Sequence, residues 1–101
     1  MKFSIIITCY NRQKFILRCI KSALNQTGIE RSLYEVIVVD DCSTDKSKKI
    51  ISQFENSIKI IKNKKNLGLS ESRNLGIRKS KGKYLLMLDS DDYISEHYLH
   101  F

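Results

Sequence analysis

A chain of 101 residues with a formal net charge of +7 has room for one small domain, or for part of a larger one. Its 18 Lys and Arg against 11 Asp and Glu favour polyanionic partners such as nucleotides, anionic glycans or acidic lipid surfaces; a solvated lysine-rich surface is the bland alternative. With no Trp and no aromatics alternating with Arg, the composition argues against nucleic-acid readout, and three cysteines without C-x-x-C spacing argue against zinc.

The apolar run near the amino terminus is too short for a signal peptide or a membrane span. Cys9, Cys19 and Cys42 read as free thiols, which suit a reducing compartment. The expected location is cytoplasmic, with peripheral attachment at the inner face of a membrane as a further possibility.

Phe3 to Thr8 reads as a first strand, apolar and β-branched. Cys9, Tyr10, Asn11 and Arg12 form a polar turn, with Asn11 placed to cap the next helix. Phe15, Ile16, Cys19, Ile20, Ala23 and Leu24 recur at helical spacing, and Gly28 lies past the helix end. Val36 to Val39 is a second buried-type strand that runs into Asp40 and Asp41. Ser43 or Thr44 is positioned to cap a second helix, with Asp45 in its first turn and Ile50, Ile51 and Phe54 as its apolar stripe.

Ile58 to Ile61 is a short third strand, followed by the basic run Lys62, Lys64 and Lys65. Ser70 with Glu71 marks a third helix start, Ser72 and Gly76 let that helix lie close to a sheet, and Gly82 is a stop. Tyr84 to Leu88 is bulky and unalternating, as in a strand buried on both faces, and runs into Asp89, Asp91 and Asp92. The pattern β-α-β-α-β-α-β predicts an α/β fold: a Rossmann-like, mostly parallel sheet with helices on both faces.

Two strand ends therefore carry grouped acids at one sheet edge, where open α/β sheets bind ligands. Three carboxylates this close repel one another, and a cation relieves that repulsion. Hard oxygen ligands suit Mg²⁺ or Mn²⁺; the competing reading is turn and cap chemistry. A calcium loop starting at Asp89 would put Ile94 where glycine is required and His100 where the bidentate acid belongs. No glycine follows the first strand to admit a pyrophosphate, and no P-loop is present.

The motifs IIITCYN, VIVVDDCSTD, NLGLSESRNLGI and LLMLDSDD, in this order and over nearly the whole chain, resemble the amino-terminal half of a family 2 glycosyltransferase. The resemblance implies the GT-A fold, here incomplete. It implies inverting, metal-dependent transfer of a sugar from a nucleotide diphosphate donor, commonly a UDP-sugar, to a hydroxyl on a glycan or lipid-linked acceptor. Cell-surface polysaccharide or glycoconjugate synthesis is the expected setting.

By the same resemblance, Thr8 and Tyr10 border the base, and Asp41 accepts from the uracil ring or ribose. Asp40 is structural. Arg73 neutralises phosphate or braces the pocket. Asp89 meets ribose or metal, and Asp91 coordinates Mn²⁺ or Mg²⁺, with Asp92 a competing ligand. Complete members continue well past the D-x-D, and their acceptor half and general base lie there. Residues 1–101 therefore read as the nucleotide-sugar-binding portion, a fragment or a truncated product, with no base assigned and with an incomplete core inviting self-association. A noncatalytic binding module is the alternative. His97 and His100 read as histidines on the surface of a following helix.

Overall fold

Phe3–Cys9 (β1), Tyr34–Asp40 (β2), Lys59–Lys62 (β3) and Tyr84–Asp89 (β4) form one parallel sheet, ordered β3-β2-β1-β4. The computed structural model describes residues 1–99. Three helices connect the strands: Ile16–Leu24 (α1), Ser47–Ser52 (α2) and Leu69–Lys79 (α3). From β1 the chain steps outward to β2 and β3, then returns to the other side of β1 as β4. The strand order thus reverses beside β1, and such a switch point opens a crevice at the carboxyl ends of the strands.

Alternation along β1 sorts the core. Ile5, Ile7 and Cys9 pack with Ile16, Cys19, Ile20 and Ala23 of α1 and with Ile51 of α2. Ile6, Ile37 and Val39 form a second cluster on the opposite face, where α3 lies. Gly76 allows α3 its close approach, since a Cβ there would sit 2.5 Å from Ile6 Cγ2. The α/β pattern, the parallel sheet and the helices on both faces agree with the sequence expectation.

The fourth strand differs from its expectation. It is an edge strand: Leu88 is buried, whereas Tyr84, Leu85 and Met87 are exposed. Its apolar run matches a central strand, but among the described residues no strand pairs with its outer side. The helix caps differ too. Asn11 does not cap α1, which starts five residues later at Ile16 without a side-chain cap. α2 starts at Ser47, and Asp45 Oδ1, rather than Ser43 or Thr44, accepts the Ser47 amide at 2.8 Å.

Gly28 lies beyond the Asn25 cap of α1. α3 stops at Lys79, and Gly82 serves close packing instead: a Cβ there would meet Ser4 N at 2.5 Å. Gly82 N donates to Ser4 Oγ at 2.8 Å, and Ser4 Oγ and Lys81 N both donate to Glu35 Oε2 at 2.6 Å. Lys59 Nζ lies 2.8 Å from the other Glu35 oxygen. This buried polar knot ties the α3–β4 connection to the amino ends of β1 and β2. It thereby helps fix the register of β4 and the height at which its acids emerge.

Candidate functional site

The turn after β1 is sewn to the turn after β2. Asn11 adopts a left-handed φ of 53°, and its Oδ1 accepts the Thr44 amide at 2.7 Å and the Asp45 amide at 3.2 Å. Asn11 N donates to Ser43 Oγ at 3.0 Å, and Arg12 N donates to Ser47 Oγ at 2.9 Å. Asn suits this task because its short amide tolerates the left-handed region while bonding nearby backbone. Tyr10 is left exposed at the mouth of the crevice, with Thr8 on the floor behind it.

Asp40 and Asp41 are neighbours pointing to opposite faces. Asp40 is buried, and its Oδ1 accepts the Ser43 amide at 3.3 Å, which agrees with a structural role. Asp41 faces α3. Its Oδ1 accepts from Leu67 N at 2.7 Å and Asn63 Nδ2 at 2.9 Å, and its Oδ2 accepts from Gly68 N at 2.9 Å. Burial alone would raise this carboxyl, but the Leu67, Asn63, Gly68 and Ser72 hydrogen bonds outweigh it and hold the group below its ordinary value. The sequence offered Asp41 only as a ligand residue, whereas here it also organises the loop leading into α3. Oδ2 keeps one acceptor position.

At the end of β4, oxygens of Asp89, Asp91 and Asp92 all lie within 4.8 Å of one another, and all three residues are exposed. Asp92 N donates to Asp89 O at 2.9 Å, which closes the turn. An octahedral shell with bonds of about 2.1 Å spaces its ligand atoms about 3 to 4 Å apart, so the three exposed carboxylates would draw together to close on Mg²⁺ or Mn²⁺, hard ions that suit an all-oxygen donor set. From α3, Arg73 Nη2 reaches Asp89 Oδ1 at 3.3 Å.

Thr8, Tyr10, Asp41, Arg73, Asp89 and Asp91 all line one cleft of about 400 Å³. Asp92 belongs to the carboxylate cluster but not to the cleft wall. Arg12 also lines the cleft, a residue the sequence reading left as part of a turn. The available signal was a cation directly after a strand that ends at the ligand-binding edge. His97 lies in a turn rather than a helix, with Nδ1 2.9 Å from Thr27 Oγ1, and it does not line the cleft. His100 lies outside the described residues.

A parallel sheet with a switch-point cleft, an acid at one strand end and a three-carboxylate turn at another defines an open α/β protein with its ligand-binding crevice at the carboxyl edge of the sheet. The model of Glycosyl transferase family 2 matches residues 4–100, and the chain belongs to this family. A poly(ribitol-phosphate) beta-glucosyltransferase of Bacillus spizizenii is 42% identical over 103 residues, which cover 98% of this chain and 16% of that protein. The Staphylococcus aureus poly(ribitol-phosphate) beta-N-acetylglucosaminyltransferase TarS is 36% identical over 102 residues, covering 98% of this chain and 18% of TarS.

The crystal structure of TarS 1–349 with UDP superposes with a TM-score of 0.90, covering 98% of this chain and 30% of that one. TarS 1–349 has also been crystallised with UDP-GlcNAc. A mannosyltransferase from Pyrobaculum calidifontis, in complex with GDP-Man and Mn²⁺, shares the fold at a TM-score of 0.84 and 21% identity, covering 91% of this chain and 28% of that one. The chain thus spans less than a fifth of the length of these two curated relatives. No helix among the described residues is long and apolar enough to cross a membrane.

Proposed function

We propose that residues 1–101 form the donor-binding portion of a metal-dependent, inverting glycosyltransferase that takes a nucleotide diphosphate sugar, most simply a UDP-sugar. The observation that carries this reading is the single cleft shared by Thr8, Tyr10, Asp41, Arg73, Asp89 and Asp91. The UDP complex of TarS, a relative that superposes along nearly the whole chain, supports uridine as the base. The acceptor is a hydroxyl on a glycan or lipid-linked chain, and the setting is cell-surface polysaccharide or glycoconjugate synthesis. We place the protein in the cytoplasm, with peripheral attachment at the inner face of a membrane as the alternative.

In this reading Tyr10 and Thr8 border the base. Asp41 Oδ2 accepts from the uracil ring or a ribose hydroxyl. Asp89 and Asp91, with Asp92 beside them, hold Mn²⁺ or Mg²⁺. When bound, such an ion supplies charge stabilisation to the diphosphate leaving group. Arg73, already paired with Asp89, turns its guanidinium to phosphate or braces the pocket. Inversion requires no protein nucleophile but does require a base for the acceptor hydroxyl. We assign that base outside this donor-binding portion.

The second reading is a nucleotide-sugar-binding module without transfer activity. A radiolabelled UDP-sugar separates the two when binding and transfer are measured side by side. Measured on a protein that includes the region assigned to carry the base, binding with transfer supports the first, and binding alone supports the second. No binding contradicts both.

A further inference from the structure

The acidic turn is not held by β4 alone. After β4 the chain folds back across α1, and the main chain of residues 89–99 bonds stepwise to one line of side chains. Cys19 Sγ donates to Asp89 O at 3.5 Å, and Arg18 Nη2 donates to Asp91 O at 3.4 Å. Ser22 Oγ accepts the Ile94 amide at 3.1 Å. Beyond the helix end, Gln26 donates Nε2 to Ser95 O and accepts the Leu99 amide on Oε1, both at 2.8 Å. Arg18 and Ser22 lie four residues apart on one face of α1, and Gln26 continues the line past the helix end. Burial pushes the Cys19 thiol up to about 12, so it donates as a neutral S–H.

Arg18 is the informative member. Its guanidinium carbon lies 4.4 Å from the centre of the Tyr93 ring, and its hydrogen bond goes to a carbonyl rather than to a carboxylate. Arg73, on the opposite sheet face, bonds the Asp89 carboxylate instead. The turn therefore sits between two arginines with different tasks: one engages a carboxylate oxygen, and the other engages only the backbone between the acids. Three exposed like charges favour splaying of such a turn, and a fixed main chain opposes it.

We propose that Arg18 and Ser22 are positioning residues that fix the main chain at Asp91 and Ile94 so that the carboxylates of Asp89, Asp91 and Asp92 converge on one divalent cation. This rests on the metal reading above. Groups that orient metal ligands without touching the ion commonly control its affinity. The proposal has a sign that simple electrostatics does not share. Removing a nearby positive charge should tighten cation binding; removing a positioning group should loosen it.

The test is Mn²⁺ titration followed by the electron paramagnetic resonance of the free ion, with thermal melts alongside. Wild type, Arg18→Ala, Ser22→Ala and Arg73→Ala are compared. Arg18→Ala and Ser22→Ala weaken Mn²⁺ binding about tenfold, while Arg73→Ala tightens it. Ser22→Ala carries no charge change, so its loss is free of the electrostatic term, and its uridine affinity stays at the wild-type value. If Arg18→Ala tightens Mn²⁺ binding, or if both variants melt lower with Mn²⁺ affinity unchanged, the residues only brace the fold and the proposal is overturned. Wild-type protein that binds no Mn²⁺ overturns the metal reading itself, an outcome distinct from failure of the positioning role.

Discussion

The Asp41 carboxylate accepts the Gly68 amide at 2.9 Å, so the acid that ends β2 also sets the entry of α3. Gly68 has a φ of 90°, a conformation that disfavours side chains, and it leaves its amide free to point at the acid. Asp41→Asn replaces one acceptor oxygen with a donor that faces N–H groups. We predict a lower melting temperature and UDP binding weakened by about 1–3 kcal/mol, the scale of unmatched buried hydrogen-bonding groups. Calorimetric titration of UDP checks this, and unchanged affinity removes Asp41 from the donor site.

Acid should unfold the protein through specific carboxylates. Burial opposes the charge of Glu35, but Lys59, Ser4 and the Lys81 amide outweigh it and lower its folded value. Asp41 and Asp45 are lowered as well. Groups lowered on folding contribute stability above their unfolded values of about 4 and lose it as pH falls through the folded values. Urea denaturation at a series of pH values should show stability declining below about pH 4, with a shallower decline in Glu35→Gln. An equal slope in that variant would show that the Ser4–Glu35–Lys81 knot does not carry the effect.

The exposed edge of β4 sets a third expectation. Tyr84, Leu85 and Met87 present apolar side chains beside a strand edge that is unpaired among the described residues, a combination that promotes association. We predict concentration-dependent self-association of the 101-residue chain, reduced by Met87→Lys. Sedimentation velocity over a hundredfold concentration range checks it. A monomer throughout would show that this edge is tolerated in water.

Local pattern revealed what local physics decides. The unbroken apolar run of β2 is buried along its whole length, and Ser72 and Gly76 do lie against the sheet as their size required. What sequence could not reveal depends on partners distant along the chain. Asn11 has the chemistry of a cap, but the amides it caps belong to Thr44 and Asp45, more than thirty positions away. β4 has the composition of a central strand, yet its burial depends on what lies beyond its edge. Asp41, Asp89 and Asp91 could be placed at one sheet edge because a strand fixes where its last side chains emerge, whereas Thr8, Tyr10 and Arg73 came from the family resemblance. Arg12 was missed because its one signal, a cation three residues past the end of β1, points to a site only once the fold shows which edge that turn faces.

In the proposed reading, the acids at the end of β4 bring a cation to a nucleotide diphosphate. Asp89 and Asp91 alone repel a diphosphate, and a bridging ion reverses the sign of that interaction. The direct measurement is titration of UDP and uridine, with and without Mn²⁺, into the wild type and Asp91→Asn. Mn²⁺ should raise wild-type UDP affinity, EDTA should reverse the gain, and Asp91→Asn should lose most of it while uridine binding stays largely intact. Wild-type UDP affinity indifferent to Mn²⁺, with Asp91→Asn changing only the melting temperature, would contradict that reading.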